Sequence, residues 1–270
     1  MADNTDRLIR FLLPQGQCRG AIIRAENIVQ EGSRLHGLSG SPAGLFGQGL
    51  IASILLLSIS KGGLRQVLQL DGEGGPVSRL LAECGNNAVR GYMQWTDQAS
   101  QQPESNGDLD WLGHHIKLST VRDLGVGQPY VSTIEAGSPY MADVLIQYLS
   151  QSVQIRADII LQDDLGLMIE AMPGCDDDHW FRAVEAMAGI SQEQLKKTPE
   201  SILESLTSLG CKTVGVDEYG YRCRCNPEIM AQAISTMPAE DLNGLRNNDG
   251  NITLTCRYCN KSYEMDAPSV

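Results

Sequence analysis

Four of the eight cysteines in this 270-residue chain lie in two short pieces near its end, Cys223-x-Cys225 in YRCRC and Cys256-x-x-Cys259 in TCRYCN. Zinc takes four ligands in a tetrahedron, and thiolates are among its best. A C-x-x-C turn lets two sulfurs grip one ion, and a C-x-C segment offers two more. The spacing therefore predicts one zinc per chain, held by Cys223, Cys225, Cys256 and Cys259. The tail around them has few large hydrophobes, and at fewer than about 60 residues its core is marginal. A structural zinc contributes on the order of 10–16 kcal/mol to small domains, so the tail should depend on the metal. Oxidising the thiolates would remove the ligands, expel the zinc and unfold the tail. Cys18, Cys84, Cys175 and Cys211 stand apart in the sequence and read as small buried hydrophobes.

The elements around the four cysteines follow from local pattern. In YGYRCRC, Tyr219, Tyr221, Cys223 and Cys225 fall on one face of an expected strand, where side chains repeat every second residue. Asn226-Pro227-Glu228 reads as a helix start, with Asn as cap and Pro at the first helical position. A second short helix is expected in MPAEDLNGL, then a turn in NNDGN and a strand in ITLTC. There Ile252, Leu254 and Cys256 share a face, so both cysteine pairs can aim at one place.

Upstream the chain reads as mixed helix and strand. VQIRADIILQ alternates, with Val153, Ile155, Ala157, Ile159 and Leu161 on one side. After the turn signal DDLG the alternation resumes at Leu167, Ile169 and Ala171, which predicts a hairpin and an antiparallel sheet with one wet face. LRQVLQL is another expected strand, and ADVLIQYLSQ has helical spacing. Past Met172, PGCDDDHW reads as acidic, solvated punctuation before short amphipathic helices. In TPESILESLTSLG, Thr198 can cap, Pro199 opens the helix and Gly210 ends it. Ile202, Leu206 and Leu209 form the apolar stripe of that segment, and helices so short are marginal without a surface to lie on.

Other chemistry finds little support. A formal net charge of −12 argues against nucleic acid or an anionic membrane as partner. The start MADNTDRLIRFLLPQG lacks the features of a signal peptide, and the most apolar run, GLFGQGLIASILLLSISKGG, is broken by Gln48, Ser53, Ser58 and Ser60, as in a buried helix. The expected setting is a reducing cytoplasm, where paired cysteines serve as ligands or redox centres. DGEGGP lacks the frame of a phosphate-binding loop and reads as a tight turn. His114, His115 and His179 have no cysteine or acid at ligand spacing that makes a site. No nucleophile–base pair or paired-acid motif stands out, so the chain does not read as an enzyme.

With these residues on the page, the chain resembles the Hsp33 family of redox-regulated holdase chaperones. C-x-C followed by C-x-x-C at the end of an acidic chain carries the resemblance, supported by LQLDGEGGP, CGNNAVRGYM and MIEAMPG upstream. It implies an α+β core domain over residues 1–173, a helical linker over 174–213 and a zinc-binding redox-switch domain over 214–270. It also implies a protein inactive while reduced and zinc-bound. Oxidation with heat would then form disulfides Cys223–Cys225 and Cys256–Cys259, release the zinc, unfold tail and linker, and expose a surface for unfolding client proteins, with homodimerisation. The spacing adds an order. Two residues apart in an extended strand, Cys223 and Cys225 sit near the upper Cα separation for a disulfide, whereas Cys256 and Cys259 span a turn and should close first. Two rival readings are a zinc ribbon on nucleic acid and a thiol-disulfide oxidoreductase. From Cys211 onward there are six Lys/Arg against eight Asp/Glu, the wrong balance for phosphates. Cys256-x-x-Cys259 follows a strand and has a C-x-C partner, unlike a helix-opening redox motif.

Overall fold

Alternating apolar residues build strands β1 (Asp6–Leu13) and β2 (Cys18–Arg24), joined by a 3-10 turn at Pro14–Gly16. A computed structural model gives the fold and describes residues 6–60, 62–97, 108–235, 237, 242 and 251–266. Strands β3 (Arg65–Gly74), β4 (Val77–Gly85), β5 (Ala88–Trp95), β6 (Gly113–Asp123), β7 (Tyr130–Glu135), β8 (Ala157–Gln162), β9 (Leu165–Ala171) and β10 (Lys212–Tyr221) complete one ten-stranded sheet. Its order is β7-β6-β3-β4-β5-β10-β1-β2-β9-β8. All neighbours are antiparallel except β5 and β10, which meet in parallel where Gly220 and Tyr221 face Ala88 and Val89. The α+β class with a mainly antiparallel sheet is as expected.

One face of the sheet carries helices α1 (Glu26–His36), α2 (Gly40–Ile59) and α3 (Met141–Tyr148). Residues Leu45 to Leu57 of α2 are all buried, against strands that include β3, β4, β5 and β9. By length and composition α2 could cross a bilayer, yet most of it is enclosed by the sheet and its neighbours. Its polar Ser53 is satisfied locally, donating to the Leu50 carbonyl at 2.7 Å. The β8–β9 hairpin approaches so closely that a Cβ at Gly166 would overlap Ile51.

The other face is also covered. Ile9, Phe11, Leu13, Ile22, Leu165, Leu167 and Ile169 point away from α2 into a second core. Helices α4 (Asp177–Ala188), α5 (Gln192–Leu195) and α6 (Pro199–Glu204) close over them with Ala183, Met187, Leu195, Ile202 and Leu203. Leu206 and Leu209 follow from the next 3-10 turn. The expectation of a wet face is therefore corrected for β1, β2 and β9. Leu165 to Glu170 are buried without alternation, because both sides of β9 meet apolar layers. The stripe Ile202, Leu206 and Leu209 lies on this sheet face, which supplies the surface that such short helices need.

Each helix of this covering segment has its own start signal. Asp176 caps α4 by accepting from the His179 backbone N–H at 2.8 Å, so the acidic run, exposed as expected, also opens a helix. Ser191 and Gln194 form a reciprocal capping box at α5. Thr198 caps α6, and Gly210 ends the segment with φ +70°. Arg24 fastens the segment from β2, donating to Asp164 Oδ1 at 2.5 Å, to the Leu195 carbonyl at 2.5 Å and to the Lys197 carbonyl at 2.9 Å.

Three local readings differ. Val153 and Ile155 are not in a strand: Leu149–Val153 forms a π-turn after α3, and Gln154 turns the chain with φ +62°. DGEGGP belongs largely to β3, and His114 and His115 open β6 instead of lying in a loop. The chain divides into compact units at Tyr221/Arg222, not at Val214, because β10 pairs along β1 and is integral to the large sheet. The expected helix in MPAEDLNGL and turn in NNDGN lie almost wholly outside the described residues.

Ile202 is fully buried in the second core. Ile202→Ala should cost about 2–5 kcal/mol of local stability, and Arg24→Ala about 1–3 kcal/mol. Hydrogen exchange should show both variants losing protection across residues 192–209 while β3, β4 and β6 keep theirs. Equal loss in those strands would show that the segment is not a separate cover.

Candidate metal centre

The second unit, Arg222–Val270, is built around a hairpin and a helix. Strands β11 (Asn251–Thr255) and β12 (Ser262–Asp266) pair antiparallel, and helix α7 (Pro227–Ser235) carries the Asn226 cap, whose Oδ1 accepts from the Ile229 backbone N–H at 2.8 Å. Among the described residues its core is small: Ile234, Leu242 and Ile252, with Met237, Leu254 and Met265 against them.

Cys256 and Cys259 lie in the loop that joins β11 to β12. The Cys256 N–H donates to the Lys261 carbonyl at 2.9 Å, and the Cys256 carbonyl accepts from the N–H groups of Cys259 at 3.4 Å and Asn260 at 2.8 Å. Asn260 completes this tight knuckle with φ +57°. Cys223 and Cys225 approach from the other side. They lie past the end of β10, in the irregular stretch before α7, so the expected strand geometry does not hold for them. The strand ends at Tyr221, the last residue that it pairs with β5, opposite Val89.

The four sulfurs nevertheless converge, all within 4.8 Å of one another. Sγ of Cys223 is 3.5 Å from that of Cys256, and Sγ of Cys225 is 3.4 Å from that of Cys259. Four sulfurs around one tetrahedral zinc, at bonds of about 2.3 Å, stand about 3.8 Å apart. The observed spacing brackets that value, and an all-thiolate donor set suits zinc. The residues present therefore fit the metal.

Electrostatics within the cluster are uneven. Burial works against a charge on Cys225, but hydrogen bonds from Tyr263 and from the neighbouring thiols outweigh it and bring its thiol down to about 7. The Tyr263 hydroxyl lies 3.2 Å from both Sγ and the carbonyl oxygen of Cys225. Burial and the neighbouring sulfurs push the thiols of Cys256 and Cys259 up. Without a cation the cluster accommodates one thiolate readily and resists more, as close like charges must. A dication reverses that balance. Tyr263 was not legible as part of the site, since a tyrosine in a strand gives no sign of which atom its hydroxyl reaches.

Comparison with known proteins decides what this arrangement belongs to. The family model described as Hsp33 protein matches residues 6–266. The chain belongs to the Hsp33 family. Curated relatives named 33 kDa chaperonin include that of Latilactobacillus sakei strain 23K, 27% identical over 96% of this chain and 95% of its own length. That of Bacillus subtilis strain 168 is 26% identical over 96% of this chain and 94% of its own. The crystal structure of the 33 kDa chaperonin (heat shock protein 33 homologue) of Thermotoga maritima superposes with a TM-score of 0.80 at 22% identity. It covers 97% of this chain and 94% of that one, and shares the fold. These Hsp33 relatives are named as chaperonins and not as enzymes.

The remaining cysteines are placed differently from the four. Cys84 is buried in β4, and burial raises the thiol pKa of the half-buried Cys211. Cys18 and Cys175, distant in sequence, are not isolated: both sulfurs converge on the Gly16 carbonyl.

Purified reduced protein should carry one zinc per chain, and Cys223→Ser or Cys256→Ser should lose it in metal analysis. Full retention in both would overturn the ligand set. Tyr263→Phe removes a donor to the Cys225 thiolate and so raises that thiol's pKa. Protons then compete better with metal, and the pH of half-release on acid titration should move upward.

Proposed function

We propose that this Hsp33-type chaperone is a redox-regulated holdase of the cytoplasm. It binds unfolding proteins and prevents their aggregation under oxidative stress combined with heat. Cys223, Cys225, Cys256 and Cys259 hold it inactive while reduced and ligating zinc. The convergence of four thiols in a unit with so small a core is the observation that carries this reading. Bound zinc supplies a four-way cross-link that a core of this size lacks.

Oxidation acts on the ligands themselves. The thiolates of Cys256 and Cys259 give up two electrons to a hydrogen peroxide, which takes up two protons and leaves as two waters while their sulfurs join; Cys223 and Cys225 do the same with a second peroxide. Each disulfide withdraws two of the four donors, and the unit loses its cross-link. The next residues upstream are those of β10, whose parallel pairing with β5 spans only Gly220 and Tyr221. Fraying there would reach the covering segment α4–α6, which connects directly to β10 through Gly210 and Cys211. Its release would bare Ile9, Phe11, Leu13, Ile22, Leu167 and Ile169 together with the stripe Ile202, Leu206 and Leu209. Two apolar surfaces of that kind suit unfolding clients and self-association into a homodimer.

We infer that Cys256–Cys259 closes first, since the two residues share one tight knuckle. The nearest sulfurs, however, pair Cys223 with Cys256 and Cys225 with Cys259, so peptide mapping of partly oxidised protein is a demanding test. Dominant bonds between the two motifs would overturn the assignment.

Oxidised, zinc-free protein should suppress aggregation of a denatured client, and the reduced zinc form should do so poorly. Hydrogen exchange should show residues 180–209 losing protection on oxidation. If that segment stays as protected as the central strands, the uncovering mechanism is wrong even where chaperone activity is present. Insulin reduction should remain at background, which separates this reading from an oxidoreductase.

A further inference from the structure

The thiols of Cys18 and Cys175 lie outside the four-cysteine centre and 157 residues apart in sequence, yet both reach one oxygen. Cys18 Sγ donates to the Gly16 carbonyl at 3.0 Å, and Cys175 Sγ reaches the same oxygen at 3.6 Å. Backbone bonds fix this encounter. Cys18 is paired in register with Ala171 at the end of β9, and the Met172 N–H then donates to the Gln17 carbonyl at 2.9 Å. A turn closed by the Cys175 N–H on the Met172 carbonyl at 3.0 Å folds Cys175 back over the start of β2. Both cysteines are reduced.

We propose that Cys18 and Cys175 are a second redox site, a dithiol that peroxide converts to a disulfide clasping the start of α4 to the sheet. Their exposures assign the order of events. Cys18 is fully buried, whereas Cys175 is half-buried and lines an open cleft of about 530 Å³ with Arg19, Arg156, Glu170 and Gly174. Cys175 therefore meets the oxidant first. Its sulfur takes one oxygen from the peroxide to give a sulfenic acid, and the peroxide leaves as water. Cys18 then displaces that oxygen; the S–S bond forms, and the two protons and the oxygen leave as a second water.

The surroundings favour a slow, protected clasp over a fast sensor. Burial, and then the neighbouring Cys175, push the Cys18 thiol up to about 12, with the Arg156 charge as a smaller opposing influence. The second step is accordingly slow, because the thiolate is the attacking form. Arg156 also donates to the Cys175 carbonyl and pairs with Asp177 Oδ1 at 2.6 Å, so the charge beside the pair is anchored to the first turn of α4. Ala183 of α4 sits against Gly16, the residue whose carbonyl both thiols share. Closing the disulfide holds that end of α4 against β2. The formation of this bond does not depend on the zinc-centre reading; where oxidation also frees α4–α6, the clasp retains only the start of α4, so residues 177–188 lose less protection than they do without the bond.

The test uses the full chain, treated with hydrogen peroxide under native conditions and quenched with iodoacetamide. Non-reducing tryptic mapping should find Phe11–Arg19 linked to Ala157–Arg182, absent from Cys175→Ser. Hydrogen exchange of residues 177–188 should be roughly tenfold slower in the oxidised parent than in oxidised Cys175→Ser, with no difference between the two when reduced. Cys18 recovered as a free thiol after Cys175 has oxidised would overturn the disulfide. A linked peptide with unchanged exchange in α4 would overturn the clasp.

Discussion

The sheet around β1, β2 and β9 is apolar on both faces, and that constraint shapes everything built on it. A strand buried on both sides cannot leave either side wet without exposing a row of Ile, Leu and Phe. On one face the cost is met by α2, a long helix that could not be buried anywhere less enclosed. On the other it is met by α4, α5 and α6, two of which are a turn or so long and stable only because Ile9, Phe11 and Leu167 lie beneath them. One cover is intrinsic; the other is held on by caps, by Arg24 and by the chain at each end.

That asymmetry gives a physical basis for a switch. The covering segment joins the sheet again through β10, and immediately after β10 the chain enters a unit whose described core is a handful of side chains gathered beside four thiols. With zinc bound as proposed, stability there would be a matter of ligands more than of packing. On the proposed reading, the same sulfur chemistry that suits zinc would make the unit sensitive to oxidants, since a sulfur bonded to another sulfur is no longer the anionic donor the metal needs.

The charge pattern within the centre fits this division of labour. Tyr263 eases one thiolate into existence at Cys225, while burial resists charge at Cys256 and Cys259. A cation placed among the four sulfurs would relieve that resistance. Cys18 and Cys175, by contrast, meet beneath the first turn of α4, where a bond between them would act on the cover itself.

By itself the sequence determined that two closely spaced cysteine pairs offer a thiolate donor set, the helix starts at Asn226 and Thr198, the buried character of α2 and the apolar stripe Ile202, Leu206 and Leu209. Each of these depends on residue type and short-range spacing, which local backbone geometry converts directly into position. Only the tertiary structure decided that β10 belongs to the large sheet, that both faces of β9 are covered, and that Cys223 and Cys225 lie beyond a strand. It alone brought Tyr263 to Cys225 and Cys175 to Cys18. Those outcomes turn on pairing between segments far apart in the chain: β10 joins the sheet by pairing along β1, and two cysteines that look solitary meet because β2 and β9 are in register.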